Sequence, residues 1–218
     1  FIGCNLARYI LEKGHEVVVL DNLVTGKREN IAQIADRIEF IEGDIRDRAA
    51  VDKAVRGCAA VFHEAALGSV PRSVENPVAS HDANVNGTIS VLEACRAAGV
   101  KRIVFAASSS AYGDQPVSPK HEGMVPRPIS PYAASKVACE AYLQAYAAAY
   151  KMETVCLRYF NVFGPRQDPN GPYAAAIPRW FEALAKGRQP LIYGDGETSR
   201  DFCYVANVVQ ANLLAATA

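Results

Sequence analysis

Several features that mark particular protein classes are missing from this 218-residue sequence. Lys plus Arg and Asp plus Glu number 23 each, so the formal net charge is zero and a strongly basic nucleic-acid-binding surface is not indicated. No apolar run approaches the roughly 20 residues that a membrane-spanning helix needs, and no signal peptide is recognisable. We therefore expect a cytoplasmic protein that binds neither nucleic acid nor membrane.

Cysteine and histidine also lack the spacing of a disulfide or metal framework. The six cysteines include no C-x-x-C pair, and the four histidines are isolated from one another. Disulfide-rich and zinc-binding domains need tighter patterns, so we predict buried thiols in a reducing compartment and no metal site. The sequence begins at Phe1 without a methionine, and we expect further residues to precede it.

Helical and strand patterns alternate along residues 1–164. β-branched and apolar runs predict strands, the first of which reads as buried on both faces of a sheet. The predicted strands are 16–22, 38–45, 59–66, 101–108 and 153–164, and the predicted helices are 5–14, 48–55, 79–98 and 132–150. This βαβα order predicts an α/β fold with a doubly wound, mostly parallel Rossmann-type sheet. Such sheets bind ligands at the carboxyl ends of their strands.

The composition changes after Gly164, where residues up to 173 are rich in Pro, Gly and polar side chains and predict a loop. A helix over 174–186, a short strand near 190–194 and a helix from Asn207 are predicted to follow. We therefore predict a main domain over 1–164, with its first strand lying before Phe1, and part of a smaller lobe over 165–218, cut off at its end.

One glycine and one acid fit part of a dinucleotide-binding fingerprint. Gly3 precedes the first predicted helix, and Asp21 closes the next strand about 20 residues later, where such proteins bind the adenosine ribose. Only one of three fingerprint glycines is present, so a structural glycine and an ordinary strand-end acid explain this pair equally well. If the site is real, the Asp21 carboxylate repels a 2′-phosphate and favours NAD over NADP, although Lys27 and Arg28 are close in sequence.

Two further strand ends agree with a dinucleotide site. Asp44 lies at the end of the second predicted strand, where its carboxylate would accept a hydrogen bond from an adenine amino group. Ala65 and Ala66 are small residues at the end of the third, where the backbone must approach a ligand closely. Each feature alone is commonly structural, but all three fall at the same edge of the predicted sheet.

Tyr132 and Lys136 lie four residues apart in SPYAASK, so a helix places both on one face. The spacing alone is equally typical of an ordinary surface helix. A phenol pKa near 10 must fall to about 7 to give a base at neutral pH, which requires about 4 kcal/mol. A cation about 4 Å away supplies about 4 kcal/mol at an effective dielectric near 20, but only about 1 kcal/mol in bulk water. Lys136 would therefore activate Tyr132 only in a sheltered cleft.

Nine stretches together carry a resemblance to one family. They are FIG at 1–3, DN at 21–22, GDIRD, HEAA, NVNGT, SSSAYG, SPYAASK, LRYFNVFGP and SRDFCYV. In this order they resemble extended short-chain dehydrogenases/reductases of the nucleotide-sugar epimerase and dehydratase group. The resemblance implies that residues 1–164 bind NAD, that the leading fingerprint glycines precede the chain, and that Tyr132, Lys136 and Ser108 are catalytic. Together with the patterns above it implies cofactor contacts from Phe1, Ile2, Gly3, Asp21, Asn22, Thr25, Gly26, Asp44, Ile45, Ala65, Ala66, Asn84, Tyr132, Lys136 and Tyr159.

The resemblance also implies a UDP-sugar substrate, bound by residues 165–218 and by side chains at the strand ends. The implied contacts are Ser108, Ser109, Ser110, Asn161 and Arg200. Arg200 resembles the family arginine that binds the diphosphate, and a guanidinium suits phosphate oxygens. The ordinary alternatives remain open, namely a surface ion pair for Arg200, strand-end serines at 109–110 and a structural amide at Asn84.

The implied reaction is oxidation of a sugar hydroxyl by hydride transfer to NAD, giving a 4-keto intermediate. Related dehydratases and decarboxylases carry a carboxylate two residues after the triad serine, and Ser110 stands there instead. Return of the hydride to the other face is then the simplest course, which makes the chain a nucleotide-sugar 4-epimerase. The family also implies a homodimer formed through the helices at 79–98 and 132–150.

The choice of sugar rests on resemblance alone. Residues 157–178 and 199–216 are most similar to bacterial UDP-N-acetylglucosamine 4-epimerases of surface-polysaccharide synthesis. The predicted reaction therefore interconverts UDP-GlcNAc and UDP-GalNAc. The alternatives are a UDP-glucose or UDP-glucuronate 4-epimerase, a nucleotide-sugar dehydratase or decarboxylase and, outside enzymes, an NAD(P)-sensing regulatory protein.

Overall fold

The computed structural model describes residues 1–170 and 174–217; residues 171–173, in the predicted loop after Gly164, and residue 218 lie outside the described part. The α-helices are α1 Ile2–Glu12, α2 Arg48–Val55, α3 Val70–Glu75, α4 Pro77–His81, α5 Gly87–Ala98, α6 Pro131–Tyr150, α7 Ala176–Ala185 and α8 Val205–Thr217. The strands are β1 Val18–Asp21, β2 Glu39–Glu42, β3 Ala60–His63, β4 Arg102–Ser108, β5 Glu153–Tyr159, β6 Val162–Phe163 and β7 Cys203–Tyr204. Arg28–Arg37 and Ser109–Tyr112 form 3-10 turns.

The strand pairs of the described residues are parallel. β1 pairs with β2, β4 lies between β3 and β5, and β6 pairs with β7. Ser108 lies beside Tyr159 at the carboxyl ends of β4 and β5, and β3 ends close by at His63. Parallel neighbours need long crossover connections, which the helices supply. The predicted α/β fold with a parallel sheet is confirmed.

Helices cover both faces of the central strands. Alternate residues of β4 pack with α2, α5 and α6 in the largest core cluster. On the other face α1 and α8 pack together, where Leu6, Val205 and Val209 form a second cluster. This two-sided covering explains why residues 103–107 form an unbroken apolar run that is fully buried.

β1 packs on both faces, as predicted, but its residues are less deeply buried than those of β4. Each of its residues is only half-buried, although Val19 packs against the cluster beneath α1 and Leu20 against the main core. Among the described residues β2 is the strand bonded to β1, whereas β4 has a strand on each side. Burial of a strand depends on its neighbours, which the strand's own residues do not specify.

The stretch predicted as a helix over 79–98 is helical throughout, but its middle is a π turn and not an α-helix. α4 leads into a π turn at Asp82–Asn86, which leads into α5. The π turn accommodates an extra residue and turns the fully buried Asn84 side chain toward Leu67 and Ser135. Such turns are frequent near functional sites. The apolar periodicity of the segment does not reveal a one-residue insertion, so the prediction missed it.

The strand predicted near 190–194 is also wrong. These residues form no strand, and Leu191, Ile192 and Tyr193 are exposed. The strand of this region is β7, which pairs with β6 and continues the pairing through a bond from the Cys203 N–H to the Asn161 carbonyl. A run of residues with β propensity forms a strand only where a partner strand lies alongside.

α8 belongs by sequence to the predicted smaller lobe but packs on the main domain. Val205 and Val209 contact Leu6 of α1, and the fully buried Asn212 bonds with Tyr159 at the end of β5. α7, by contrast, contains no fully buried residue. The domain boundary at Gly164 stays a prediction, and the contacts of α8 place it in one core with α1 and β5.

All six cysteines are free thiols. Burial raises the pKa of Cys95 and of Cys156 to about 12, so both thiols are protonated at neutral pH. Within residues 1–170 and 174–217, no helix has both the length and the apolar character needed to cross a bilayer.

Candidate active site

A cavity of about 240 Å³ lies at the carboxyl ends of β3, β4 and β5. It is lined by Ile2, Glu64, Ala66, Gly68, Ala106, Ala107, Ser108, Tyr132, Lys136, Tyr159 and Val162. The three predicted catalytic residues therefore share one cavity, at the edge where parallel α/β sheets bind ligands.

The first turn of α6 sets the direction of Tyr132 and Lys136. Ser130 caps the helix by accepting a hydrogen bond from the Ala133 N–H at 3.1 Å, and a proline follows it at the first helical position. Both features are typical helix starts. Tyr132 and Lys136 then lie one turn apart on the face that meets the cavity.

Ser108 ends β4 and supports the turn that follows it. Its hydroxyl oxygen accepts from the Ser110 N–H at 3.2 Å and from the Ser110 hydroxyl at 2.8 Å. It is also hydrogen-bonded to the Tyr132 phenol. Ser108 and Ser110 thus form one hydroxyl pair beside the phenol, while Ser109 is half-buried in the same turn.

Lys136 is held in an apolar wall of the cavity. Its ammonium donates to the Ala106 carbonyl at 2.7 Å and lies 4.6 Å from the centre of the Phe105 ring. Its side chain is buried, with 3% exposed, and burial lowers the pKa of Lys136. The bond to Ala106 and the ring contact stabilise the cation in this setting.

The pKa of Tyr132 differs from the expectation that Lys136 lowers it. Burial raises the pKa of this phenol, and the hydrogen bond with Ser108 opposes the rise only in part. The Lys136 ammonium is directed at the Ala106 carbonyl, so its charge does not offset the loss of solvation. In this arrangement Tyr132 is a neutral phenol and a proton donor.

Asn84 joins the loop after β3 to α6. Its Oδ1 accepts from the Leu67 N–H at 2.8 Å, and its Nδ2 donates to the Leu67 carbonyl at 3.3 Å and to Ser135 at 3.0 Å. Ser135 in turn donates to the Tyr132 carbonyl at 2.8 Å. Both the oxygen and the nitrogen of the Asn84 amide are thus bonded within the chain. These bonds give Asn84 a structural role, one of the two alternatives that the sequence allowed.

A buried ion pair joins β5 to α6 and contacts the 3-10 turn Ser109–Tyr112, which we call the serine turn. Arg158 donates to Glu140 through two bonds of 3.0 and 2.7 Å, and their side chains are 17% and 7% exposed. The guanidinium also lies 4.7 Å from the centre of the Tyr112 ring. Arg158 therefore fixes the end of the serine turn against the helix that carries Lys136.

Asp21 closes β1, as predicted. Its Oδ1 accepts from the Leu23 N–H at 2.8 Å, and a Cβ added to Gly26 would lie 2.8 Å from both carboxylate oxygens. Gly26 therefore allows the backbone to approach this carboxylate. Lys27 pairs with an aspartate of the loop after β6 at 2.9 Å, and Arg28 pairs with a glutamate of β2 at 2.5 Å.

Asp44 is bonded within the chain. Asn22 donates to it at 2.8 Å, and Arg46 donates to both of its oxygens at 2.9 and 2.8 Å while also bonding Asp82 at 2.6 Å. The bond with Arg46 holds the pKa of Asp44 well below its usual range. A hydrogen bond from adenine to Asp44 stays a prediction. To accept it, the carboxylate would need a lone pair beyond those that already accept from Asn22 and Arg46.

The remaining predicted cofactor residues surround the same sheet edge. Ile45 packs so close to α5 that a Cβ on Gly87 would lie 2.4 Å from its side chain, which explains the glycine of NVNGT. Thr25 is exposed, and Phe1 and Ala65 are half-buried. Ile2, Ala66 and Tyr159 line the cavity itself.

Asn161 and Arg200 both lie outside the cavity lining. Asn161 donates to the Asp201 carbonyl at 2.9 Å, next to Arg200 in the chain. Arg200 is exposed and donates to the Ser199 carbonyl at 2.9 Å. Asn161 therefore contacts the residue that follows Arg200, close to the β6–β7 pair.

Glu64 was not among the residues predicted from the sequence, yet it lines the cavity and bonds Tyr159 at 2.8 Å. The available signal was an ionisable residue at the end of a strand, inside HEAA, among otherwise small and apolar neighbours. Asn212, whose amide bonds the same phenol at 2.6 Å, was not predicted either. Asn212 lies in the last helix, and no local pattern links it to β5.

The comparisons with known proteins decide the family. All of residues 1–218 match the family model described as the NAD dependent epimerase/dehydratase family. The chain belongs to this family. A putative UDP-glucose 4-epimerase from Methanocaldococcus jannaschii is 42% identical over 217 residues, which cover 99% of this chain and 70% of that protein. The assignment made from the nine motifs is therefore confirmed.

Two solved structures of family members superpose closely. A UDP-N-acetylglucosamine 4-epimerase from Methanobrevibacter ruminantium, in complex with UDP-N-acetylmuramic acid, has a TM-score of 0.95 and 42% identity, and the match covers 100% of this chain and 70% of that one. A UDP-glucose 4-epimerase from Thermus thermophilus, in complex with NAD, has a TM-score of 0.91 and 42% identity, covering 100% and 72%. The predicted Rossmann-type fold is confirmed, and NAD is the cofactor of this epimerase/dehydratase family.

The residues at the sheet edge fit NAD. Gly3 lies in the first turn of α1, and backbone N–H groups of a first helical turn suit a pyrophosphate. A Cβ added to Gly3 would meet nothing closer than the Glu64 Cβ at 3.9 Å, so the chain itself does not require a glycine there. Close approach of a ligand to the backbone would explain why position 3 is a glycine. We propose that Gly3 and Asp21 hold the adenosine half and that Tyr132 and Lys136 lie at the nicotinamide half.

The position of Asp21 predicts cofactor choice in this family member. We expect the stripped full-length protein to bind NAD at least about tenfold more tightly than NADP, a difference of ~1.4 kcal/mol. Asp21 repels a 2′-phosphate, and Lys27 and Arg28 already pair with carboxylates. Calorimetric titration with each dinucleotide measures this. Asp21→Asn should narrow the preference and the exposed Asp36→Asn should not; tighter binding of NADP by the wild type would refute the ribose assignment.

Proposed function

We propose that this protein is a UDP-sugar 4-epimerase that interconverts UDP-GlcNAc and UDP-GalNAc. The observation that carries the proposal is the meeting of Ser108, Tyr132 and Lys136 in one cavity at the carboxyl edge of the sheet. Family membership adds NAD, and the similar UDP-N-acetylglucosamine 4-epimerase structure adds the choice of sugar.

The three side chains divide the proton chemistry. Bound NAD supplies the hydride acceptor for the first half of the reaction and the hydride donor for the second. Tyr132 exchanges a proton with the sugar hydroxyl that is oxidised, and Ser108, already bonded to the phenol, orients that hydroxyl. For Tyr132 to act as a base its pKa must fall, and a turn of the Lys136 ammonium from the Ala106 carbonyl toward the phenol is the change within the chain that lowers it.

The serine turn favours epimerisation over elimination. Ser110 occupies the place where related dehydratases carry an acid, and its hydroxyl donates to Ser108 at 2.8 Å. A serine hydroxyl is a poor proton donor to a leaving hydroxyl at neutral pH. Glu64 does lie in the cavity, so a dehydrated product is the outcome that would favour the second candidate, a nucleotide-sugar dehydratase.

The acetamido sugar needs amide partners and room beside the reacting carbon. Ser109 and Ser110 offer hydroxyls in the turn after β4, and Asn161 offers a side-chain amide at the β6–β7 pair. Arg200 is exposed and precedes Asp201, whose carbonyl bonds Asn161, and its guanidinium suits the diphosphate. These four residues are our proposed sugar and diphosphate contacts, together with Ser108.

The substrate is tested by proton NMR of the anomeric signals. We expect the full-length protein to interconvert UDP-GlcNAc and UDP-GalNAc without added reductant, and to do so faster than it converts UDP-glucose or UDP-glucuronate. If either of those sugars turned over ~10-fold more efficiently, a preference of about 1.4 kcal/mol, the N-acetyl assignment would be wrong and the epimerase chemistry would stand. No turnover of any of these sugars by NAD-loaded protein would favour the NAD(P)-sensing alternative.

The homodimer predicted through residues 79–98 and 132–150 stays a proposal. An open groove of about 480 Å³ lies between α4 and α6, lined by Pro77, Val78, His81, Pro131, Ala134, Ser135 and Ala138. Val78 is 77% exposed and Tyr142 of α6 is 42% exposed. Apolar side chains exposed along neighbouring helices are compatible with a second copy packing there.

A further inference from the structure

A directed hydrogen-bond chain runs from α8 to the cavity. Asn212 Nδ2 donates to the Tyr159 phenol oxygen at 2.6 Å and to the Val208 carbonyl at 2.8 Å, which fixes the orientation of the amide. The phenol lies 2.8 Å from Glu64 Oε1. An amide nitrogen only donates, so the phenol oxygen accepts from Asn212 and its single proton points to Glu64. Oε1 of Glu64 is therefore an acceptor.

The second carboxyl oxygen of Glu64 has no such partner. Oε2 is shielded from solvent and makes no hydrogen bond with the described residues. Glu64 lines the cavity together with Ile2, Tyr132 and Lys136. A shielded polar atom without a partner is unfavourable. Oε2 gains a partner when the carboxyl group swings about its bond with Tyr159 toward a ligand in this cavity.

The surroundings shift the Glu64 carboxyl toward its neutral form. Burial raises the pKa of this carboxyl, while the bond from Tyr159 and the charge of Lys136 act in the opposite direction. A neutral carboxylic acid has one O–H donor. Because Oε1 already accepts from the phenol, the proton belongs on Oε2, and the cavity receives a donor. An ionised carboxylate would instead present an unpaired negative oxygen to a cofactor that carries phosphates.

We propose that neutral Glu64 positions the bound NAD by donating a hydrogen bond from Oε2 to an acceptor oxygen of the dinucleotide, while Tyr159 and Asn212 hold the carboxyl in place. The place of Glu64 in the fold favours the cofactor over the sugar. It follows β3 beside the start of α1, where a Cβ on Gly3 would lie 3.9 Å from its own Cβ, whereas the proposed sugar contacts follow β4 and β5. The proposal depends on NAD binding and is independent of which sugar reacts.

Titration of stripped full-length protein with NAD tests the contact. Glu64→Gln keeps a donor and an acceptor, so its dissociation constant for NAD should stay within about threefold of the wild type, whereas Glu64→Leu should bind at least ~10-fold more weakly. Glu39→Leu, exposed on β2, is the matched control and should bind normally. Wild-type affinity in Glu64→Leu overturns the contact. Equal weakening in both Glu64 variants overturns the neutral donor, because it shows that the charge is required.

A second measurement uses only the wild type and Glu64→Gln, the variant that keeps both a donor and an acceptor at this position. The infrared difference spectrum between NAD-bound and stripped protein should contain the C=O stretch of a neutral carboxylic acid that shifts on NAD binding and is absent from Glu64→Gln. Absence of such a band from the wild type, or a band that NAD does not shift, overturns the proposal. Both measurements use NAD without sugar, so their failure is distinguishable from failure of the epimerase proposal, which the NMR assay tests.

Discussion

Replacement of Tyr132 by phenylalanine is expected to lower the turnover of the full-length protein at least ~100-fold, the usual scale for one acid–base group. The phenol hydroxyl is hydrogen-bonded to Ser108 in the cavity that also holds Lys136. Phenylalanine keeps the ring and its packing and removes only the proton carrier. NAD should therefore remain bound, and the amount of NAD in the purified protein is measured beside the rate of epimerisation.

Tyr142→Phe is the matched control for this prediction. Tyr142 lies on the same helix, is 42% exposed and does not line the cavity. Its variant should keep wild-type turnover. Near-normal turnover in Tyr132→Phe would remove the tyrosine from the proposed chemistry. A slow variant that had also lost NAD would instead assign Tyr132 mainly to cofactor binding.

Arg158→Met is expected to lower the free energy of unfolding by about 3–5 kcal/mol, because it leaves the carboxylate of Glu140 buried without its partner. Both bonds of this pair are short, and the Glu140 side chain is only 7% exposed. The pair joins β5 to α6, and Arg158 also covers the Tyr112 ring of the serine turn. Denaturant unfolding followed by circular dichroism measures the loss.

Arg48→Met and a double variant are the controls. Arg48 pairs with Asp52 on the surface of α2, where both side chains are about half exposed, so its loss should cost no more than about 1 kcal/mol. The double variant Arg158→Met/Glu140→Met has no unpaired charge and should be more stable than Arg158→Met alone. A loss below about 1 kcal/mol in Arg158→Met, similar to that of Arg48→Met, would contradict the role of this pair.

Elements with local signals were predicted closely. The helix over 48–55 has the predicted bounds, because Asp47 caps it and its apolar stripe is regular. The strand predicted over 101–108 is β4, and SPYAASK starts α6 with a capping serine and a proline. These signals lie within a few residues of the element that they specify. The bounds of such an element can therefore be predicted without knowing what packs against that element.

Several site features depend on contacts between distant residues. Glu64 and Tyr159 are 95 residues apart, and Asn84 and Ser135 are 51 apart. No window of the sequence contains both members of either pair. The π turn that directs Asn84 inward is likewise invisible to periodicity, and the strand predicted near 190–194 failed because no strand lies beside it.

The sequence by itself determined the parallel α/β order, the shared helix face of Tyr132 and Lys136 and, through nine motifs, the family. Only the tertiary structure decided the protonation states and charge partners of the site residues. Burial raises the pKa of Tyr132 and directs Lys136 to the Ala106 carbonyl, and the meeting of β3, β5 and α8 puts Glu64 into the cavity wall. Residue type and spacing specify which groups are present, but solvation and partners follow only from the packing of distant segments, and these set the protonation of each group.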